Sequence, residues 1–372
     1  MKRRGFLKQT GAALAVTAMP LRSWAAKPPA KRLYVDGLSF LPENLEDAKA
    51  SGLDAFIADI SAIEEVKRPD GSVNYKRTYN ACMKSIQERR GKFESRPDLY
   101  RIAETGADIQ AAQANNQCAV FLQIQGADCV EGGLHQVDEF YELGLRVLQL
   151  THHYDNLYAG GALSLPNTGL TKAGFELIDK LEAKHMMIDL SHSSVQSAED
   201  TLARANGPVV QTHGAARAIV NNARCTPDSV IKGIADSGGV FGVFMMSWWL
   251  TNEVVPKPEH FIDHLQHIKN IAGIEAVAIA NDYPLRGQLD ALASGNNNAA
   301  AIEGYKQWWE GLGEVGVLGF DQPVNHVVVP ELNHIKRMRS IEFLLQDAGF
   351  SGSEIDKVMG GNWQRVLSDV IV

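Results

Sequence analysis

Several features that announce a function in other chains are missing from this one. Cys82, Cys118, Cys129 and Cys225 stand at irregular intervals with no CxxC pair, which excludes a zinc ribbon and a dithiol redox motif. There is no P-loop and no GxSxG elbow, so nucleotide chemistry and a serine nucleophile are poorly supported. No basic block follows the first residues, and a formal charge of −8 with a pI near 5.8 argues against a nucleic-acid partner. No run beyond the N-terminus approaches the roughly 18 apolar residues that a membrane span needs. Proline and glycine nowhere concentrate as they would in a linker, which argues for one domain.

What is present begins with an address. Arg3-Arg4-Gly5-Phe6-Leu7-Lys8 is a twin-arginine pattern, followed by an apolar run from Gly11 to Met19 and a small-residue cleavage signal at Ser23-Trp24-Ala25. Residues 1–25 are therefore expected to be a signal peptide and residues 26–372 a single periplasmic domain. A chain of this size has core enough to dispense with disulfide staples, and no pairing is expected.

Apolar strands and helical patterns then alternate. Strand candidates are Leu33 to Val35, Ala55 to Ile60, Ala119 to Ile124, Val147 to Leu150, Met187 to Leu190, Val209 to Gln211, Val240 to Phe244 and Val277 to Ile279. Helical periodicity fills the gaps, including Leu45 to Ala50, Ala107 to Ala114, Val137 to Leu143, Lys172 to Ala183, Ser194 to Ala203, Asp228 to Ala235 and Glu259 to Ile271. Eight such repeats suit a closed (β/α)8 TIM barrel better than an open doubly wound sheet. The charged stretch from Lys67 to about Pro97 reads as an excursion at the barrel mouth. Two closing helical segments, Leu332 to Ala348 and Glu354 to Val370, follow a polar loop around Tyr283 to Asn298.

Polar residues sit where these strands end: Asp36, Asp59, Gln125, Thr151-His152-His153, His192, His213 and Asn281-Asp282. In a barrel they converge on one mouth, with imidazoles for a metal or an oxyanion and carboxylates for proton transfer. His192 and His213 occupy the same place in successive βα units, and neutral imidazole is a good zinc ligand. His260, His264 and His267 share one face of a helix and read as surface decoration. Trp248 and Trp249 have three open roles: lining the pocket, a subunit contact in a homodimer, or buried packing.

At this point the motifs become specific. IDLSHSS with His192, VVQTHGAARAI with His213, LTHHYDN with His152, ARCTPDSV with Arg224, VAIANDY with Asp282 and the closing GGNWQRV together resemble the membrane (renal) dipeptidase family, from about Tyr34 to the C-terminus. The resemblance implies an amidohydrolase-like barrel with two zinc ions, bridged by a glutamate and a hydroxide that attacks a dipeptide bond. It implies His192 and His213 as ligands of the second metal and His152 as the group steadying the carbonyl oxygen. It further implies Arg224 as the partner of the substrate carboxylate and Asp282 as the acid-base residue beside the water and the substrate amine.

Three positions depart from the family pattern. Leu38 and Phe40 stand where the family reads a histidine and an aspartate in DGHND, and Gln125 stands in place of the bridging glutamate. Leucine and phenylalanine have no lone pairs and a glutamine oxygen is weak and neutral, so the first metal loses its ligands. One zinc at most is then expected, on His192 and His213, with Asp282, Gln125 or Asp59 as the third ligand. The leading reading is a periplasmic dipeptidase-type amide hydrolase of a dipeptide or peptide-derived substrate, with Arg224, His152 and Gln125 binding it. Two alternatives stay open: a metal-free isomerase, lyase or maturation enzyme, and a peptide-binding protein that has lost the reaction.

Overall fold

Short apolar segments with a helix after each can satisfy their backbone only by pairing side by side, and here they do so in parallel. A computed structural model describes residues 31–42, 44–67, 73–253, 256–287, 310, 311, 313, 314 and 328–372. Its strands are β1 Val35–Phe40, β2 Ala55–Asp59, β3 Glu64–Lys67, β4 Val73–Lys76, β5 Tyr100–Ile102, β6 Cys118–Gln125, β7 Leu145–Gln149, β8 Met187–Asp189, β9 Gln211–Gly214, β10 Phe241–Val243 and β11 Val277–Ile279. One run of the sheet orders β1-β2-β6-β7-β8 and another β9-β10-β11. Two parallel bridges, Asp189 with Val210 and Phe40 with Pro284, join the runs into a ring. Asn281 and Asp282 complete the closure by donating their backbone N–H groups to the Leu38 carbonyl, at 3.2 and 2.9 Å.

All eight expected strands are in the ring, so the barrel expectation holds, with corrections at three places. The first strand begins at Val35 and continues to Phe40, past the expected end, because its polar residues find partners within the sheet. Asp36 accepts from the backbone N–H of Asn281 at 2.9 Å and from the Asn281 side chain. Second, the stretch from Lys67 to Pro97 is more than an excursion. A β3–β4 hairpin leads into a helix over Tyr79–Glu94, capped by Thr78 and burying Ile86 and Phe93, which serves as an outer helix of the barrel. Third, β5 adds a short strand that pairs with the start of β6 on the edge that β7 takes further along.

The outer helices fall close to their expected spans, for instance Lys172–Ala183 and Val195–Arg204, whose N-caps Thr171 and Ser194 accept backbone N–H groups of the first turn. The closing segments are Arg337–Asp347, Gly352–Asp356 and Asn362–Val370, the last two separated by a wide turn over Lys357–Gly361. In that last helix the GGNWQRV motif is structural. Trp363 is fully buried among Val35, Ala55, Val210 and Ala278, and its indole N–H donates to the Ile279 carbonyl at 3.0 Å. A Cβ on Gly37 would lie 2.3 Å from the Trp363 ring, so only glycine lets the first strand pass. Asn362 ties the same helix to the carbonyls of Ile274 and Val277. Full burial of a side chain of this class contributes about 3 kcal/mol, which anchors one end of the barrel and leaves the other for chemistry. The expected signal segment 1–25 and most of the polar loop lie outside the described residues.

Candidate active site

Three successive βα units bring four imidazoles into one row. His152 and His153 follow β7, His192 follows β8 and His213 lies on β9. His152 stacks on His192 with ring centroids 4.3 Å apart, and His192 lies 4.9 Å from His213. The Nε2 atoms of His192 and His213 are 2.9 Å apart, while the other nitrogen of His192 is 3.2 Å from Nδ1 of His153. His192 and Asp282 both hold left-handed backbone conformations, with φ of 64° and 59°. Non-glycine residues rarely adopt these, and they cluster where a site needs a side chain aimed.

A buried carboxylate orients the row. Asp189, at the end of β8, accepts from the Ser191 N–H, the Ser191 hydroxyl and the Thr212 N–H on Oδ1, and from Gln123 Nε2 and the Thr212 hydroxyl on Oδ2. Five donors hold it as an anion, although burial pushes its pKa up. Since Thr212 gives its proton to Asp189 at 2.6 Å, its oxygen must accept from Nδ1 of His213 at 2.9 Å. Nε2 of His213 is then a bare lone pair, and without an ion His192 donates to it.

The imidazoles are neutral. Burial, reinforced by Arg224, holds His153, His192 and His213 well below the usual histidine range. His152 is lowered by burial and then by Arg77. Arg224 is itself buried, lies over the rings of Phe244 and Trp249 at 5.5 and 5.7 Å, and reaches the His213 carbonyl with Nη2 at 3.4 Å. Its Nε has no hydrogen-bond partner among the described residues. A guanidinium so placed, fixed by aromatic faces and short of acceptors, is suited to a ligand carboxylate. Trp249 is thus on the pocket side, whereas the side chain of Trp248 lies outside the description.

Asp282 completes the mouth. Burial pushes its carboxyl up to about 8, with Asp59, Asp36 and Asp189 adding to the rise and Arg224 opposing it. For the metal-free chain the sign is unfavourable to stability. Between the ordinary value of 3.8 and about 8 the folded state keeps a proton that the unfolded state releases, so stability falls as pH rises through that window. Asp282→Asn should therefore melt higher than the parent at pH 8 and closer to it at pH 4, while hydrolysis falls about 10²–10⁴-fold. Scanning fluorimetry of chelated protein at the two pH values checks this, and a variant less stable at pH 8 would refute it.

Of the residues expected at the site, His152, His192, His213 and Arg224 are joined directly by the contacts above. Asp282 joins through its interaction with Arg224. Gln125 is buried at the end of β6, its N–H on the Ser61 hydroxyl at 2.8 Å, and Asp59 accepts from the Ser61 N–H. Among the described residues, His152, His153 and His192 bring three potential ligand atoms within 4.8 Å of one another, a group that adds His153 to the expected residues and does not include His213. Sequence reasoning placed His153 at the mouth without giving it a role, and it passed over Arg77. It also misjudged His264, which is fully buried and binds the Ala216 N–H and the Leu250 carbonyl, whereas His267 pairs with Asp228.

Residues 40–298 match the family model described as membrane dipeptidase, peptidase family M19. The chain belongs to this family. Among curated relatives, a dipeptidase, verJ, from Clonostachys rogersoniana is 28% identical over 55% of this chain and 53% of its own length. The chain spans about half the length of the curated relatives it matches. An amidohydrolase from Pseudomonas aeruginosa has the same fold, with TM-score 0.74 and 22% identity over 91% of this chain and 96% of that one. So does a metallo peptidase from Rhodobacter sphaeroides liganded with a phosphinate mimic of L-Ala-D-Ala, with TM-score 0.71 and 15% identity over 91% and 99%. The barrel fold is therefore shared with these structures.

One solved structure of family M19, a dipeptidase, is described as a metallo peptidase, which raises the question of whether the donor set here fits a metal. His192 and His213 fit one ion: His213 presents a bare Nε2 held by the Thr212–Asp189 pair, the support that metal-bound histidines usually have. A second ion beside β1 does not fit. Leu38 is fully buried and Phe40 packs on the apolar core, so neither offers a donor, and Asp36 is committed to Asn281.

Proposed function

We propose that this chain is a periplasmic hydrolase of dipeptides or of small peptide-derived amides that works with one zinc ion at most. The observation that carries this reading is the gathering, at one barrel mouth, of an oriented histidine pair with a buried guanidinium and a carboxyl poised near neutrality. His192 and His213 would hold the ion, which when bound would supply Lewis acidity. Arg224 pairs with the substrate carboxylate. His152, neutral and at one end of the row, donates to the carbonyl oxygen as negative charge develops there, and Gln125 offers an amide to the same substrate. Asp282 takes a proton from water and returns it to the departing amine.

Arg224→Ala tests the assignment. It should cost about 2–5 kcal/mol in binding a dipeptide with a free carboxylate and much less for its amidated analogue. Equal losses by calorimetry would reject the clamp. Periplasmic location rests on the twin arginines alone: a precursor with Arg3→Lys and Arg4→Lys should stay in the cytoplasm, and its normal export would sink that part.

One observation favours a second reading, acid-base chemistry without an ion. His192 and His213 already satisfy each other at 2.9 Å, so the row is complete as a hydrogen-bonded chain. Metal analysis of protein purified without chelator separates the two.

A further inference from the structure

Arg77 is a site guanidinium that the proposed reaction leaves unused. It falls between β4 and the Thr78 cap of the helix Tyr79–Glu94, in the stretch that leads back toward the barrel mouth. A Cβ built on Gly126 would lie 2.9 Å from Asp128 Oδ2, 3.5 Å from Arg77 Cδ and 3.6 Å from the His152 backbone nitrogen, so the arginine stem, the Asp128 carboxylate and the His152 loop meet across a glycine. Nε of Arg77 is buried, and among the described residues the side chain has no hydrogen-bond or ion-pair partner. A half-buried cation with no partner costs stability and so needs a compensating role.

The arrangement of the row says where that role lies. His152, His192 and His213 stand in sequence, with Arg224 on the His213 carbonyl at one end. Arg77 is the strongest charge acting on His152, whereas Arg224 is the strongest at His192 and His213. Two guanidiniums therefore bracket the imidazoles, which are neutral and cannot pair with either.

We propose that Arg77 is a specificity residue for a second anionic group, so that the favoured ligands carry one carboxylate for Arg224 and another acidic group on the amino-terminal side of the scissile bond. This placement rests on the dipeptide reading above, in which Arg224 holds the terminal carboxylate and His152 meets the carbonyl. An acidic first residue reaches past His152 toward Arg77, whereas a neutral one of the same shape leaves that guanidinium unpaired.

Calorimetric titration of the purified chain with the isosteric pair glutamyl-alanine and glutaminyl-alanine, and with glutarate and its monoamide, reads the second charge directly. The acidic member of each pair should bind at least about tenfold more tightly. Arg77→Gln should erase that preference while leaving glutaminyl-alanine binding unchanged, which also shows that the variant is folded, and Arg77→Lys should keep part of it. Equal affinity within the pairs, a preference that survives Arg77→Gln, or no binding of any of the four overturns the inference. Hydrolysis of the two dipeptides at equal kcat/KM would overturn it and leave the amide-hydrolase reading standing. Arg77-dependent binding of glutarate in a chain that cleaves neither dipeptide would do the reverse.

Discussion

Replacing His213 by alanine is expected to lower kcat/KM for dipeptide hydrolysis by at least about 10³-fold. The size of the effect follows from two linked roles. On one side its Nε2 is the lone pair that faces His192, and on the other its Nδ1 is held by Thr212 and, through it, by Asp189. Alanine removes the lone pair and leaves the Thr212 oxygen short of a donor in a buried setting, which costs about 1–3 kcal/mol of stability as well. The two effects separate by measurement: elemental analysis reports loss of the ion, urea unfolding reports the orphaned hydroxyl, and steady-state kinetics reports the reaction. His213→Gln, which keeps a polar side chain, should recover stability without recovering hydrolysis. Activity within tenfold of the parent in either variant would remove His213 from the site.

How much of this was legible in the chain depends on the range of the forces involved. The barrel was readable because strand and helix periodicities are local, and VVQTHGAARAI and IDLSHSS place an imidazole at the end of an apolar run wherever the run pairs. The end of the first strand was misread because Asp36 and Ser39 look like loop residues until Asn281 and the Tyr283 carbonyl supply partners from about 245 residues away. Asp189 showed only as an acid interrupting Met187 to Leu190, which is itself the signal of a buried anion, since an apolar strand tolerates one only with donors around it. Arg77 left no such trace: its neighbours are the Gly126 turn and His152, and charge in a hairpin usually means a solvated surface. The helical spacing of His260, His264 and His267 was real, but spacing alone does not say which face of a helix meets the barrel, and His264 is the inward one.

The site beside β1 carries the other large expectation. Wild-type protein should hold about one zinc per chain or fewer after dialysis, since a structural or catalytic ion takes three or more protein ligands and the β1 side offers none from Leu38 or Phe40. The triple change Leu38→His, Phe40→Asp, Gln125→Glu should raise the capacity toward about two, because one imidazole and two carboxylates offset the added charge. It should do so at a price in the metal-free state, where polar groups replace a fully buried leucine and a packed phenylalanine and go unsatisfied until an ion arrives. The melting temperature of the triple variant should therefore lie below the parent in chelator and recover on adding zinc, whereas the parent should respond less. If the variant gains dipeptide hydrolysis that the parent lacks, the native chain uses its histidine row for different chemistry, and the second reading gains. Two tightly held zinc ions in the wild type would mean that other donors have taken over the β1 side, most directly Asp36 released from Asn281, and that the apolar substitutions there do not limit the metal count.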